Sequence, residues 1–149
     1  MKFVSAVSLT LLGATAVLAD RGIISPAEGS TVSLSAPLNL TFNPGQYFKA
    51  GTTSIDVYFI HGELGKEATF ALGADSRVIL TDFKPNTQIS DHNVVTNAYQ
   101  VQIELTDELL AGPSWKHPWK KTLMIVEKKW DSITGANTAF WTTSFDLTE

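Results

Sequence analysis

Tyr99-Gln100-Val101-Gln102-Ile103-Glu104-Leu105 is apolar at every odd position and polar at every even one. Successive side chains of a strand leave on opposite faces, so this row offers one face to a core and the other to water. The same alternation recurs upstream in Leu38-Asn39-Leu40-Thr41-Phe42, which Asn43-Pro44-Gly45 ends. It recurs again from Ser54 to Phe59, where Ile55, Val57 and Phe59 share a face opposite Ser54, Asp56 and Tyr58.

Working outward, Ile23-Ile24 begins a strand that Ser25-Pro26-Ala27-Glu28-Gly29-Ser30 breaks with turn chemistry before Val32. Ala68 to Leu72 and Arg77 to Thr81 read as short strands joined through Gly73-Ala74-Asp75-Ser76, with a polar loop after them around Pro85-Asn86. Thr106 to Leu110 has room for a single helical turn, stopped by Gly112-Pro113, and Leu123 to Val126 and Ala139 to Leu147 supply the last two strands. Many short strands with turns between them, and no helix of ordinary length, predict an all-β fold. The expected architecture is an antiparallel two-sheet sandwich of immunoglobulin-like or fibronectin-like type. A closed barrel is the structural rival, because strand counting does not separate the two.

The chain opens with Lys2, an apolar run from Phe3 to Leu12 and a Val17-Leu18-Ala19 exit, the pattern of a secretory signal peptide over residues 1–19. A membrane span needs about 20 predominantly apolar residues, so none is expected here. Of the 149 residues, removal of those 19 leaves 130, from Asp20 to Glu149, a length suited to one β-sandwich domain. The expected location is extracellular. Without Lys2 the eleven basic residues become ten against fifteen acidic ones, a formal charge of −5 that disfavours a nucleic-acid partner. There is no cysteine, which excludes disulfide scaffolds, thiolate metal sites and cysteine nucleophiles, and removes the Cys-Trp-Cys marker of antibody-type domains.

Asn39-Leu40-Thr41 is an N-glycosylation sequon, and the strand alternation turns Asn39 outward, so Asn39 is the candidate modification site. Trp115-Lys116-His117-Pro118-Trp119-Lys120-Lys121 concentrates two tryptophans, three lysines and a histidine in a predicted loop. Indole faces stack on sugar rings or cations and lysines attract anions, so Trp115, Lys116, Trp119, Lys120 and Lys121 are the candidate partner-binding residues. The competing reading folds the tryptophans back as a cap on the sandwich. Glu127-Lys128-Lys129 reads as a solvated strand end, and Tyr47, Phe48, Tyr58 and Trp130 as core or sheet-surface aromatics.

No reaction has a comparable signature. His61, His92 and His117 are not at metal-ligand spacing, and no cofactor is implied. Glu63 and Glu67, Asp107 and Glu108, and the single Asp75, Asp82 and Asp91 do not specify a glycosidase pair, because sequence spacing in a β protein does not set a distance across a cleft. Ser90-Asp91-His92 are chain neighbours, which seldom converge as a triad, and there is no G-x-S-x-G elbow or phosphate-binding glycine loop.

The opening Ile24-Ser25-Pro26-Ala27-Glu28-Gly29-Ser30-Thr31-Val32, the strand from Tyr99 to Leu105 leading into Leu110-Ala111-Gly112-Pro113, and the ending Ile133-Thr134-Gly135-Ala136 through Phe145-Asp146-Leu147 resemble small secreted fungal proteins. Their arrangement is similar to that of the necrosis-inducing secreted protein (Nis1-like) family of fungal effectors, from which the segment Trp115 to Lys121 departs. The resemblance implies a non-enzymatic extracellular protein that interferes with host immune signalling by binding. The expected partners are therefore an extracellular or host protein or, as the alternative, a cell-wall polysaccharide recognised by a carbohydrate-binding module.

Overall fold

The computed structural model describes residues 21–45, 50–62, 76–91, 94–111 and 119–149. Strands β1 (Gly22–Ser25), β3 (Leu38–Asn43), β7 (Val94–Ile103) and β6 (Thr87–Asp91) form one sheet in that order. Strands β2 (Thr31–Ser33), β9 (Gly135–Thr148), β8 (Lys120–Asp131), β4 (Ala50–His61) and β5 (Ser76–Phe83) form the other. Two sheets of separate strand order make this a sandwich and not a single closed barrel. All pairings are antiparallel except β2 with β9, which run parallel with Thr31 opposite Asp146.

The alternating rows take the faces their periodicity predicts. Leu38, Leu40 and Phe42 of β3 lie opposite Ile103, Val101 and Tyr99 of β7. Across the sandwich, Ile55, Val57 and Phe59 of β4 join Leu123 and Ile125 of β8 and Phe145 and Leu147 of β9 in the same core. Rings meet edge to face there: Phe42 against Trp141 at 5.8 Å and Phe59 against Phe145 at 6.3 Å between centroids. Fully burying one such side chain contributes about 1.5–3 kcal/mol, which lets the domain close on packing alone.

The expected helical turn is α1 (Asp107–Leu110), capped by Thr106, whose hydroxyl accepts the Leu109 N–H at 3.3 Å. Several strands differ from the sequence reading, β4, β5 and β9 by running longer than expected. The strand through Tyr99 begins at Val94 and ends at Ile103, leaving Glu104 and Leu105 in the connection to α1. Strand β8 begins at Lys120, three residues before Leu123. Strand β6 was not expected, because Thr87-Gln88-Ile89-Ser90-Asp91 carries a single apolar residue; its backbone pairing with β7 creates it. The expected strand at Ala68 to Leu72, and residues 1–19, lie outside the described residues. Among the described residues no helix is long and apolar enough to cross a membrane.

Candidate functional site

The β8–β9 hairpin sets the geometry of an exposed aromatic surface. Its turn is closed by Asp131, whose Oδ1 accepts the N–H groups of Ile133 at 2.7 Å and Thr134 at 3.1 Å. Those two backbone donors hold the Asp131 carboxyl below its usual pKa. The turn locks an unbroken ladder from Asp131 opposite Gly135 to Lys120 opposite Asp146. In that register Leu123, Ile125 and Glu127 point into the sandwich, whereas Thr122, Met124, Val126, Lys128 and Trp130 lie on the other face, where Thr122 and Met124 are buried and exposure grows toward Trp130 at the hairpin tip.

The outward face carries Trp130, 59 % exposed, and Phe140, 49 % exposed, with Val126 directly opposite Phe140. Tyr58 of β4 and Val78 of β5 continue it on the next two strands. Lys128 sits between the two rings and donates to Asp56 Oδ1 at 2.8 Å, and this hydrogen bond is the main cause of its raised pKa. Asp56 Oδ1 also accepts the backbone N–H of Asp82, whose own pKa is lowered by hydrogen bonds from Ser54 and Lys84. Apolar rings thus flank a satisfied ion pair, and Ile133 at the hairpin tip, 78 % exposed, adds to the exposed apolar area of the hairpin.

The opposite outer face has different chemistry. On the four-stranded sheet Asn39 stands opposite Gln102 and Thr41 opposite Gln100. Asn39 is exposed there, as the sequon reading requires, and its carbonyl accepts the Ser25 hydroxyl at 2.8 Å.

The tryptophan-lysine segment divides. Trp115, Lys116, His117 and Pro118 lie outside the described residues, as do Tyr47, Phe48, Glu63, Glu67, Asp75 and His92. Trp119 is half exposed, its carbonyl accepting the Leu147 N–H at 2.7 Å, and Lys120 opens β8 across from Asp146. Lys121 is not a surface contact residue: it is only 4 % exposed. Because β8 starts early, the inward phase of Leu123 and Ile125 reaches back to Lys121. Its Nζ lies 3.0 Å from Nδ1 of the buried His61, and desolvation lowers its pKa.

The same phase corrects the reading of Glu127-Lys128-Lys129 as a solvated strand end. Glu127 lies on the core side and is wholly buried. Its carboxylate accepts the Thr52 hydroxyl and the Trp141 indole N–H, and pairs with Lys129 Nζ at 3.2 Å. Tyr99 is buried nearby, and among the described residues its hydroxyl has no hydrogen-bond partner. Burial first and the Glu127 charge second push its phenol up to about 12. These groups sit inside the packing of the sandwich. Among the described residues no three His, Cys, Asp or Glu side chains gather as a metal-ligand set.

The outward aromatic row was missed from sequence. Its signal is the phase: once Leu123 and Ile125 are inward, Val126, Lys128 and Trp130 must be outward, and a two-residue offset along the hairpin brings Phe140 beside them. No family model, curated protein or solved structure matches this chain, so its surface chemistry carries the functional reading.

Proposed function

We propose that this chain is a secreted, non-catalytic recognition domain of fungal effector-like type that engages an extracellular or host partner. The contact surface is the outer face of the five-stranded sheet. The observation that carries the reading is the placement of Trp130 and Phe140, both about half exposed, on one face of a ladder that also holds Val126 and the Asp56–Lys128 pair. Large aromatics are energetically costly to leave in water and are enriched where partners bind. The sequon supports the same polarity: a glycan on Asn39 would occupy the four-stranded sheet's outer face and leave the aromatic face open. Trp119 and Lys120 lie at the opposite end of β8 from Trp130 and form the remaining part of the originally expected contact segment.

The test is partner capture by the secreted protein, its Trp130→Ala/Phe140→Ala variant and a Trp119→Ala variant. Loss in the double variant at an unchanged melting temperature supports the reading. Full capture by the double variant sinks it, and loss in Trp119→Ala alone transfers the contact to the far end of β8.

A further inference from the structure

We infer that the aromatic face takes an extended, uncharged polysaccharide, an inference that rests on the recognition surface proposed above. Three features of the ladder specify this class. The first is ring placement. Phe140 is opposite Val126, and Trp130 is four residues further along β8 on the same face. At about 3.3 Å per residue along a strand and 4.8 Å between strands, the two rings stand about 14 Å apart. A short oligosaccharide spans that distance and a single sugar does not.

The second is charge. Described charged residues of this face are matched by neighbours of opposite sign: Lys128 binds Asp56 at 2.8 Å and Lys84 binds Asp82 at 3.1 Å, while Lys120 is the cross-strand neighbour of Asp146. Charges matched in this way attract an acidic or basic polymer only weakly, and the complement of such a face is a partner without charge.

The third is the chemistry between the rings. Thr138, exposed opposite Lys128, lies between them, and beyond Phe140 the exposed Thr142 and Tyr58, one strand away on either side of Met124, continue the row of hydroxyls. Hydroxyls both donate and accept, as sugar hydroxyls do, while the apolar C–H faces of the sugar rings stack on Trp130 and Phe140. A protein partner would favour a continuous apolar centre, whereas here Lys128, paired with Asp56, and the Thr138 hydroxyl interrupt the rings.

The experiment is retention of the full secreted protein on microcrystalline cellulose, chitin and insoluble β-1,3-glucan, with anionic polygalacturonate as the charged comparator. The expected result is retention on at least one neutral polysaccharide, unaffected by salt, competed by the matching soluble oligosaccharide and accompanied by a tryptophan fluorescence change. Trp130→Ala and Phe140→Ala should each weaken it at least tenfold, and Trp130→Tyr and Phe140→Tyr, which keep a ring, should preserve most of it. Melting curves separate lost contact from lost fold, and the tyrosine variants decide if an alanine variant unfolds.

Absence of retention on every neutral polysaccharide overturns the inference, as does salt-sensitive retention on polygalacturonate alone. If glycan binding is absent but the double variant loses a defined protein partner, the glycan falls and the recognition face stands. If the double variant keeps every binding activity of the folded protein, both fall.

Discussion

The indole N–H of Trp141 donates to Glu127 Oε2 at 2.7 Å from within the aromatic core, so a carboxylate with no solvent contact is held between strands β8 and β9. Thr52 satisfies its other oxygen and Lys129 balances its charge. This network closes the hairpin-tip end of the sandwich, directly beneath the strand that displays Trp130.

Removing one partner of a buried, hydrogen-bonded ion pair leaves the other charge uncompensated, which costs about 3–5 kcal/mol. Glu127→Ala should destabilise the domain by that amount in urea unfolding. Lys129→Met, which leaves the buried carboxylate without its cation, should also destabilise the domain, and it should lessen the damage of Glu127→Gln when combined with it. Additive effects in the double-mutant cycle would mean that the two side chains are not energetically coupled.

Gly22 lies under the same indole: at a φ of +113° a side chain is strained, and a Cβ there would meet Trp141 at 3.1 Å. Gly22→Ala should therefore lower the melting temperature and shift the Trp141 near-ultraviolet signal. An unchanged melt would show that β1 can move off the core freely.

Lys121 supplies a prediction of opposite sign. Its folded pKa is lowered by desolvation from 10.5, so below the folded value the ammonium is charged in both states and burial penalises folding. As pH rises through that lowered value toward 10.5, the folded state releases its proton first and stability increases. Lys121→Met, which keeps the stem's volume, should match or exceed the natural protein in urea near neutral pH and lose this alkaline rise. A clear loss of stability instead would assign the ammonium–His61 contact a net stabilising role.

Tyr99 gives the reverse slope at still higher pH. The phenol ionises near 10 in the unfolded chain and at about 12 in the fold, so between those values the unfolded state loses its proton first and stability falls. Tyr99→Phe should remove that fall and, since the hydroxyl has no partner among the described residues, should not destabilise the domain. Ultraviolet titration checks the first point: one tyrosine should ionise at about 12 in the native protein.

For Asn39, secretion from a eukaryotic host should yield a species whose mass falls on treatment with an amide-cleaving glycosidase. Asn39→Gln should abolish that shift without changing the melt, because the residue is exposed on the polar face. An identical mass for both proteins would remove the glycan from the account of which face is free.

The alternating rows Leu38 to Phe42, Ile55 to Phe59 and Tyr99 to Ile103 were legible because hydrophobic period and burial coincide in them. Lys121 and Glu127 were not, since each is a charged residue in an inward phase. Charge predicts exposure unless a partner such as Trp141, met only across the sheet, is known. Trp130 and Phe140 were illegible for the converse reason: they are apolar residues in an outward phase, where composition alone favours the core. The antiparallel sandwich followed from local pattern, but the parallel β2–β9 pair rests on a contact between residues more than a hundred positions apart.

That pair also governs when the domain can form. Strand β9 is interior to its sheet, with β2 on one edge and β8 on the other, so residues 31–33 have no ladder until residues 146–148 have been synthesised. Most other pairings likewise join distant positions, which slows folding and makes it depend on the late strand. The nascent polypeptide therefore cannot complete its five-stranded sheet, or cover the inner face of the other, until its last strand arrives.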